Sequence, residues 1–377
     1  MNSKLIFGTL TVITTVWVVS GVVQSALAKE AKVNVVRTTG GNAVEFPNVH
    51  LQSGMGRNLL QPFNEELQTT HDIKSADRAQ RMMERNSSAL TGLLINKGRI
   101  VFEGYREPAR RNSKMHSMSM SKSLTALVIG NLYCDGKINS LDDRAVKYAP
   151  QLEGTPYGDT SIRNLLMMAS GIKKLGSHGQ PKHKTYVRMR NQRATGLFML
   201  KGHTRQHEEG TNHLYNSGDT LALSQVMESM GGLINNFNFY IWSRIGTETG
   251  GSWMVDKRGQ PIAFAGFNAS LRDWGKLGMY TIDMVKGRGG SCMQEFATDM
   301  NSKQIRNERR PGEAGRSFSH YGYQTWIMQN GNAWWVGYGG QRVGLNFELE
   351  KVMVVHSYIE NYMTEAHDVF NYFADWD

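Results

Sequence analysis

Ser119-Met120-Ser121-Lys122 stands at the head of an apolar run, Ser123 to Tyr133 (SLTALVIGNLY), which ends at Asp135-Gly136. The run is apolar nearly all round, which predicts a buried helix stopped by the Asp-Gly pair. Residues three apart share a helix face, so Lys122 is aimed at the Ser119 hydroxyl. A serine hydroxyl is a poor nucleophile until a neighbouring base takes its proton. Lysine serves as that base when burial or a nearby cation lowers its pKa from about 10.4, and the apolar helix offers burial. The unpaired N–H groups at a helix N-terminus add a positive potential that favours an oxyanion. The spacing alone is weak, since about one chance Ser-x-x-Lys is expected in a chain of this length. Ser170-Gly171-Ile172-Lys173 is such a match. A glycine and a charged loop follow its serine where a buried helix is needed, so it is set aside as a nucleophile.

Two other segments carry groups that could meet Ser119. Tyr215-Asn216-Ser217 stands directly before a predicted helix, Thr220 to Met230, capped by Asp219 and stopped by Gly231-Gly232. A phenol and a hydroxyl there could reach one site, although a Tyr in a pre-helix turn is the plain reading. Trp335-Val336-Gly337-Tyr338-Gly339-Gly340-Gln341 is a strand breaking into glycines. Backbone of that kind can approach a ligand closely and donate an N–H as an oxyanion hole; taken alone it is more often a β-bulge.

Together and in this order the pieces resemble the serine β-lactamase and penicillin-binding-protein superfamily. Within it they are most similar to the class C-like group of esterases, D-aminopeptidases and 6-aminohexanoate-dimer hydrolases. The resemblance runs from about Ala89 to Tyr372 and includes the segments Ile100 to Tyr105, His116 to Ser123, Leu165 to Gly171, Gly266 to Gly278 and Tyr321 to Trp326. It implies that Ser119 is the acylated nucleophile, Lys122 its proton-handling partner and Tyr215 the general base and acid. The oxyanion hole would be the backbone N–H groups of Ser119 and Tyr338, with Ser217, Gly337 and Gly339 at the substrate. Neither a metal nor a cofactor is implied. Two departures matter. Ser217 replaces the amide of Tyr-x-Asn, and Trp335-Val336-Gly337 stands where Lys-Thr-Gly or His-x-Gly is usual. A cation at that place binds the carboxylate of β-lactams and peptidoglycan stems. Its loss is shared with the 6-aminohexanoate-dimer hydrolases. The expected function is a secreted serine hydrolase of amides or esters acting through an acyl-serine. The alternatives are a β-lactamase or DD-peptidase, or a non-catalytic envelope-binding protein of the same fold.

The elements that must position these residues can be read coarsely. Ser88 to Tyr105 is a hairpin signal turning at Asn96-Lys97-Gly98, and Thr160 to Ala169 is a helix. Tyr321–Met328, Ala333–Tyr338, Gln341–Leu349 and Lys351–Tyr358 are β-rich runs, followed by a closing amphipathic helix from Thr364 to Trp376. This order predicts an α+β fold: an antiparallel sheet built from both chain ends, flanked by helices, with an all-helical subdomain inserted at roughly 140–260. The predicted divisions are a signal peptide at 1–28, a polar, irregular N-terminal extension at 29–87 and the hydrolase domain at 88–377.

The charge is uneven. Of a formal +10, nine cations and no acid lie between Gly171 and Gln206. Such a balance suggests an anionic partner. Its confinement to one stretch, with no nucleic-acid fold signature, points away from nucleic acid and towards an acidic small-molecule substrate or an anionic envelope surface. A solvated loop is the plainer alternative. Lys4, the uncharged run Leu5 to Val23 and Ala26-Leu27-Ala28 have the layout of a secretory leader cleaved near Ala28. Export to the periplasm or medium is therefore expected, the alternative being an uncleaved N-terminal anchor. No later segment is apolar enough to span a membrane. Cys134 and Cys292 are 158 positions apart. They could pair in an oxidising compartment; two buried thiols are the reading slightly favoured. His203, His207 and His213 surround Glu208 and Glu209, but no His-Glu-x-x-His is present and they are read as loop histidines.

Overall fold

Residues 89–96 and 99–105 alternate their apolar side chains between two faces, and Lys97 and Gly98 between them take left-handed backbone angles (φ 49° and 82°) that close a tight hairpin. The computed structural model describes residues 35–36, 47–173, 195–308, 317–359 and 363–375, all within the compact unit Asn34–Asp377. The hairpin strands β3 (Ala89–Asn96) and β4 (Arg99–Tyr105) form one edge of an eight-stranded sheet. Its remaining strands are β8 (Ile305–Arg306), β9 (His320–Tyr321), β10 (Trp326–Ile327), β11 (Ala333–Gly337), β12 (Gln341–Asn346) and β13 (Lys351–Ser357). Their order is β4-β3-β13-β12-β11-β10-β9-β8, and each pairing is antiparallel. The sheet is thus assembled from both ends of the chain, with Leu94 opposite Met353.

Period-two alternation decides what each face buries. Leu93, Ile95, Val352 and Val354 face the large core shared with α2 (Ser121–Cys134) and α7 (Leu271–Val285). Leu94, Met353 and Val355 face the other way, against α1 (Thr70–Arg85) and α9 (Met363–Ala374). Between the two parts of the sheet run α3 (Ile162–Leu166), α4 (Gly196–Met199), α5 (Ser217–Glu228) and α6 (Leu233–Tyr240); α8 (Ser291–Met300) follows α7.

Several expectations need correction. Thr70–Arg85, expected to be irregular, is a 16-residue helix whose N-terminus carries a reciprocal Thr69–Asp72 capping box. A second sheet of five strands, order β1-β5-β7-β6-β2, was not expected. It joins β1 (Val35–Val36), β2 (Asn48–Leu51), β5 (Lys114–His116), β6 (Gly251–Met254) and β7 (Phe267–Ala269). These strands are only two to four residues long and come from distant segments, so no local alternation announces them. Asp219 does not cap α5. The cap is Asn216, whose Oδ1 accepts from Gly218 N at 3.0 Å, and Asp219 lies buried in the first turn. Tyr321–Met328 is not one strand but two short ones around a turn at 322–325.

The cysteines also differ from expectation. Cys134 and Cys292 form a disulfide, with their Cα atoms 5.7 Å apart. It joins the last residue of α2 to the first turn of α8. The leader segment and residues 174–194 of the basic stretch, including Lys182, Lys184, Arg188, Arg190 and Arg193, lie outside the described residues. Among the described residues no helix is long and apolar enough to cross a membrane.

Candidate active site

The sequence threads β5 into the second sheet and then turns sharply into α2. Met118 takes a left-handed φ of 45°, unusual for a residue with a side chain, immediately before Ser119. Ser119 sits in the single 3-10 turn Met118–Met120, half-buried, and α2 starts two residues later. The turn is fixed from below. Ser121 Oγ accepts from Phe267 N at 3.0 Å and pairs with Ser117 Oγ at 2.6 Å, while Ser117 N donates to Phe267 O at 2.9 Å. The serine turn is therefore bolted to β7.

Helical spacing does bring Lys122 to Ser119. Lys122 Nζ donates to Ser119 Oγ at 3.1 Å and to the Phe264 carbonyl at 2.9 Å. The lysine is 1% exposed, one of the largest fully buried side chains described. Its Nζ lies 5.2 Å from the Tyr215 ring centre and 5.1 Å from that of Phe264. Tyr215 therefore joins the same site although 93 positions separate it from Lys122.

Tyr215 is held by its ring, which stacks on Trp326 with centroids 5.1 Å apart and meets Tyr321 edge-on. Its chain neighbour Asn216 is fully buried. Asn216 Nδ2 donates to Tyr157 OH and to Asp219 Oδ1, each at 3.1 Å, and Ser170 Oγ donates to Asp219 Oδ1 at 2.9 Å. Burial pushes the Asp219 carboxyl well above the usual carboxylate range. Burial likewise pushes the Tyr157 phenol up, with the Asp219 charge adding to it. These groups form a dry support under the Tyr-Asn-Ser turn, and Ser170, the discarded Ser-x-x-Lys serine, belongs to that support. Ser217 is half-buried as the first residue of α5.

The glycine-rich segment arrives from the opposite side. β11 ends at Gly337, paired with Gln341 across a three-residue turn, Tyr338 to Gly340. A Cβ on Gly337 would lie 2.4 Å from the Ser117 carbonyl and 3.1 Å from Met118 Cβ. Glycine at 337 is what lets the strand abut the serine turn. Tyr338 is 68% exposed, whereas Gly339 is buried with φ 80°. Trp335, at the position of the missing cation, is fully buried in the main core.

Sequence reasoning missed three positions. Gln324, at φ 55° in the 322–325 turn, donates from Nε2 to the Leu165 and Leu166 carbonyls at 2.9 and 3.1 Å. Its Oε1 accepts from Thr220 Oγ1 and its backbone carbonyl from Ser123 Oγ, each at 2.7 Å. One side chain and its carbonyl thereby tie α2, α3 and α5 together. Phe264 supplies the lysine's carbonyl partner, and Gln341 pins the 338–340 turn. Of the loop histidines, His203 contacts the Met199 carbonyl through Nε2 at 2.9 Å, whereas the His213 ring packs on Tyr321 at 4.6 Å and edge-on to Trp326 at 5.5 Å, the same rings that hold Tyr215.

A serine turn, a buried lysine and a tyrosine set between a helical part and an antiparallel sheet define the class: the serine β-lactamase and penicillin-binding-protein superfamily. The family model described as beta-lactamase matches residues 76–368, and the chain belongs to that family. It is 24% identical over 298 residues to the 6-aminohexanoate-dimer hydrolase of Paenarthrobacter ureafaciens, covering 74% of each chain. A structure from Bacillus anthracis assigned as a 6-aminohexanoate-dimer hydrolase superposes with a TM-score of 0.72 at 20% identity, covering 90% of this chain and 96% of that one. A class C β-lactamase superposes with a TM-score of 0.61 at 14% identity, covering 83% and 98%. The protein is a β-lactamase-fold hydrolase related to 6-aminohexanoate-dimer hydrolase.

Proposed function

We propose that the protein is a serine hydrolase that cleaves an amide or ester through an acyl-Ser119 intermediate. The observation that carries this reading is the 3.1 Å contact between Lys122 Nζ and Ser119 Oγ, with the Tyr215 ring 5.2 Å from the same amine. Ser119 Oγ attacks the substrate carbonyl carbon and its proton passes to the Lys122–Tyr215 pair. The oxyanion is received by the N–H groups of Ser119 and Tyr338. The leaving amine or alcohol takes the proton as the carbonyl re-forms, and water then releases the acyl group by the reverse relay. An activated fluorophosphonate should add its phosphonyl mass to Ser119 and leave Ser119→Ala unlabelled. A wild type that stays unlabelled and turns over no p-nitrophenyl ester would overturn the reading.

The buried Trp335 favours acyl groups without a carboxylate over β-lactams and peptidoglycan stems, because no cation stands at that place. Nitrocefin turnover at ordinary enzyme rates would instead promote the β-lactamase reading. Ligand-induced stabilisation that ignores Ser119→Ala, with no turnover, would favour an envelope-binding role.

Export to an oxidising compartment is part of the same proposal, and the Cys134–Cys292 disulfide supports it. The basic stretch is proposed to steer an acidic substrate or an anionic surface to the site. Arg205 is excluded from that role, because it donates to the Ser170 and Pro156 carbonyls at 2.5 and 3.1 Å and is part of the framework. Neutralising Lys182, Lys184, Arg188 and Arg190 together should raise KM and flatten its salt dependence. Unchanged kinetics would leave the stretch a solvated loop.

A further inference from the structure

Behind the Tyr338 N–H lies a buried arginine that the scheme above does not use. Arg342, on β12, is 5% exposed. Its Nη1 donates to the Gly337 carbonyl at 2.8 Å and to the Gln341 carbonyl at 2.9 Å. The Gly337 carbonyl and the Tyr338 N–H belong to one planar trans peptide, so they point in opposite directions. Whatever holds the oxygen therefore sets the direction of the N–H.

The remaining carbonyls of the turn are held by a neutral group. Gln341 Nε2 donates to the Tyr338 carbonyl at 3.3 Å, to Gly339 at 3.0 Å and to Ser357 at 2.7 Å. All three carbonyls from 337 to 339 are thereby occupied by side-chain donors, but only the one on the Gly337–Tyr338 peptide receives a cation. That same peptide abuts the nucleophile turn, since a Cβ on Gly337 would lie 2.4 Å from the Ser117 carbonyl. Hydrogen bonds to a charged donor are shorter and stronger than neutral ones, and linked hydrogen bonds polarise one another in a low-dielectric interior. A guanidinium on the oxygen draws electrons through the amide and makes its N–H a better donor on the other side.

We propose that Arg342 is a positioning residue of the oxyanion hole, orienting and polarising the Tyr338 N–H through the Gly337–Tyr338 peptide. The inference rests on the acyl-Ser119 reading and deepens it. A merely structural arginine would tie the β11–β12 hairpin without strengthening one donor at the site.

The test compares wild type, Arg342→Lys and Arg342→Gln after acylating Ser119 with a slowly released cinnamoyl ester labelled with carbon-13 at its carbonyl. Isotope-edited infrared spectra read the acyl carbonyl stretch, which falls as the oxyanion hole pulls harder on the oxygen. Both variants should move the band to higher wavenumber and lower kcat by about 10- to 100-fold, short of the loss of a whole oxyanion donor. KM should stay within about threefold, as expected for an interaction made in the transition state. The conservative lysine keeps the charge in a shorter, non-planar side chain, so it remains informative if the glutamine variant does not fold. An unmoved band and unchanged kcat with acyl-Ser119 formed would overturn the proposal alone. Absence of any adduct on wild-type Ser119 would overturn the catalytic reading, and this proposal with it.

Discussion

Tyr215 carries two separable features, a ring stacked on Trp326 and a phenol hydroxyl proposed to move protons. Tyr215→Phe keeps the first and removes the second. We expect kcat to fall by about 10²- to 10⁴-fold, the usual worth of a positioned acid–base group, with a melting temperature close to wild type. A matching loss of stability and activity would show instead that the hydroxyl is part of the framework. What the sequence reveals at this scale depends on distance along the chain. Ser119 and Lys122 are three residues apart across the junction of a 3-10 turn and α2, so their meeting is a local fact. Gln324 reaches carbonyls 158 and 159 positions away, and nothing local distinguishes it from any glutamine in a turn. Arg342 is hidden for another reason: its Gly337 partner is only five positions away, but a cation in a strand ordinarily reads as solvent-facing. Gly337 is visible as a glycine, whereas its reason for being one, the Ser117 carbonyl, lies on another element.

Among the elements, α2 has the unusual position of carrying the proposed catalytic lysine at one end and a covalent tether at the other. Its 14 residues span about 21 Å at the helical rise, so the Cys134–Cys292 bond is remote from Ser119. Chain-entropy reasoning gives a cross-link enclosing 158 positions a contribution of about 5 kcal/mol, of which measured disulfides deliver roughly 2–5. The double variant Cys134→Ser, Cys292→Ser should lose stability of that order in urea unfolding. At temperatures where it stays folded, its kcat should remain within about twofold of wild type. A large fall in kcat at unchanged stability would mean that the tether sets the orientation of the serine turn. The long elements were legible because a helix or a core strand repeats its own pattern: α2, the 89–105 hairpin and the closing helix all stand within a few residues of where the sequence places them. The second sheet and the disulfide were not legible, because both are agreements between segments far apart.

The whole molecule stores an acid sensitivity in its histidines. His356 is buried and contacts Thr91 Oγ1 at 2.8 Å; burial, aided by the nearby His116, pulls its pKa down to about 3. Burial and the Arg342 charge pull His367 down to about 3 as well. In the unfolded chain both titrate near 6.5. Above that pH neither state binds the proton and no stability is lost. As pH falls from about 6.5 towards 3 the unfolded state takes up protons that the folded state refuses, so stability falls by up to about 1.4 kcal/mol per pH unit for each histidine. Denaturant melts between pH 7.5 and 4.5 should show a slope of this sign from His356 and His367, and His367→Leu should reduce it by up to about 1.4 kcal/mol per pH unit. A slope that His367→Leu leaves unchanged would place the acid sensitivity elsewhere.

The adjacency of β3 and β13 also dictates an order of events. Ala89 pairs with Ser357 and Asn96 with Lys351, so the main sheet joins β3 to β13 across more than 250 positions of chain. A ribosome must deliver nearly the entire polypeptide before β3, already paired with β4 in the hairpin, can find β13. Contacts of such long sequence separation form late and slowly, because the loop entropy precedes the reward. A nascent chain of this topology stays open until its last strands emerge. That delay is what the proposed export would require of a chain threaded through a pore before it folds.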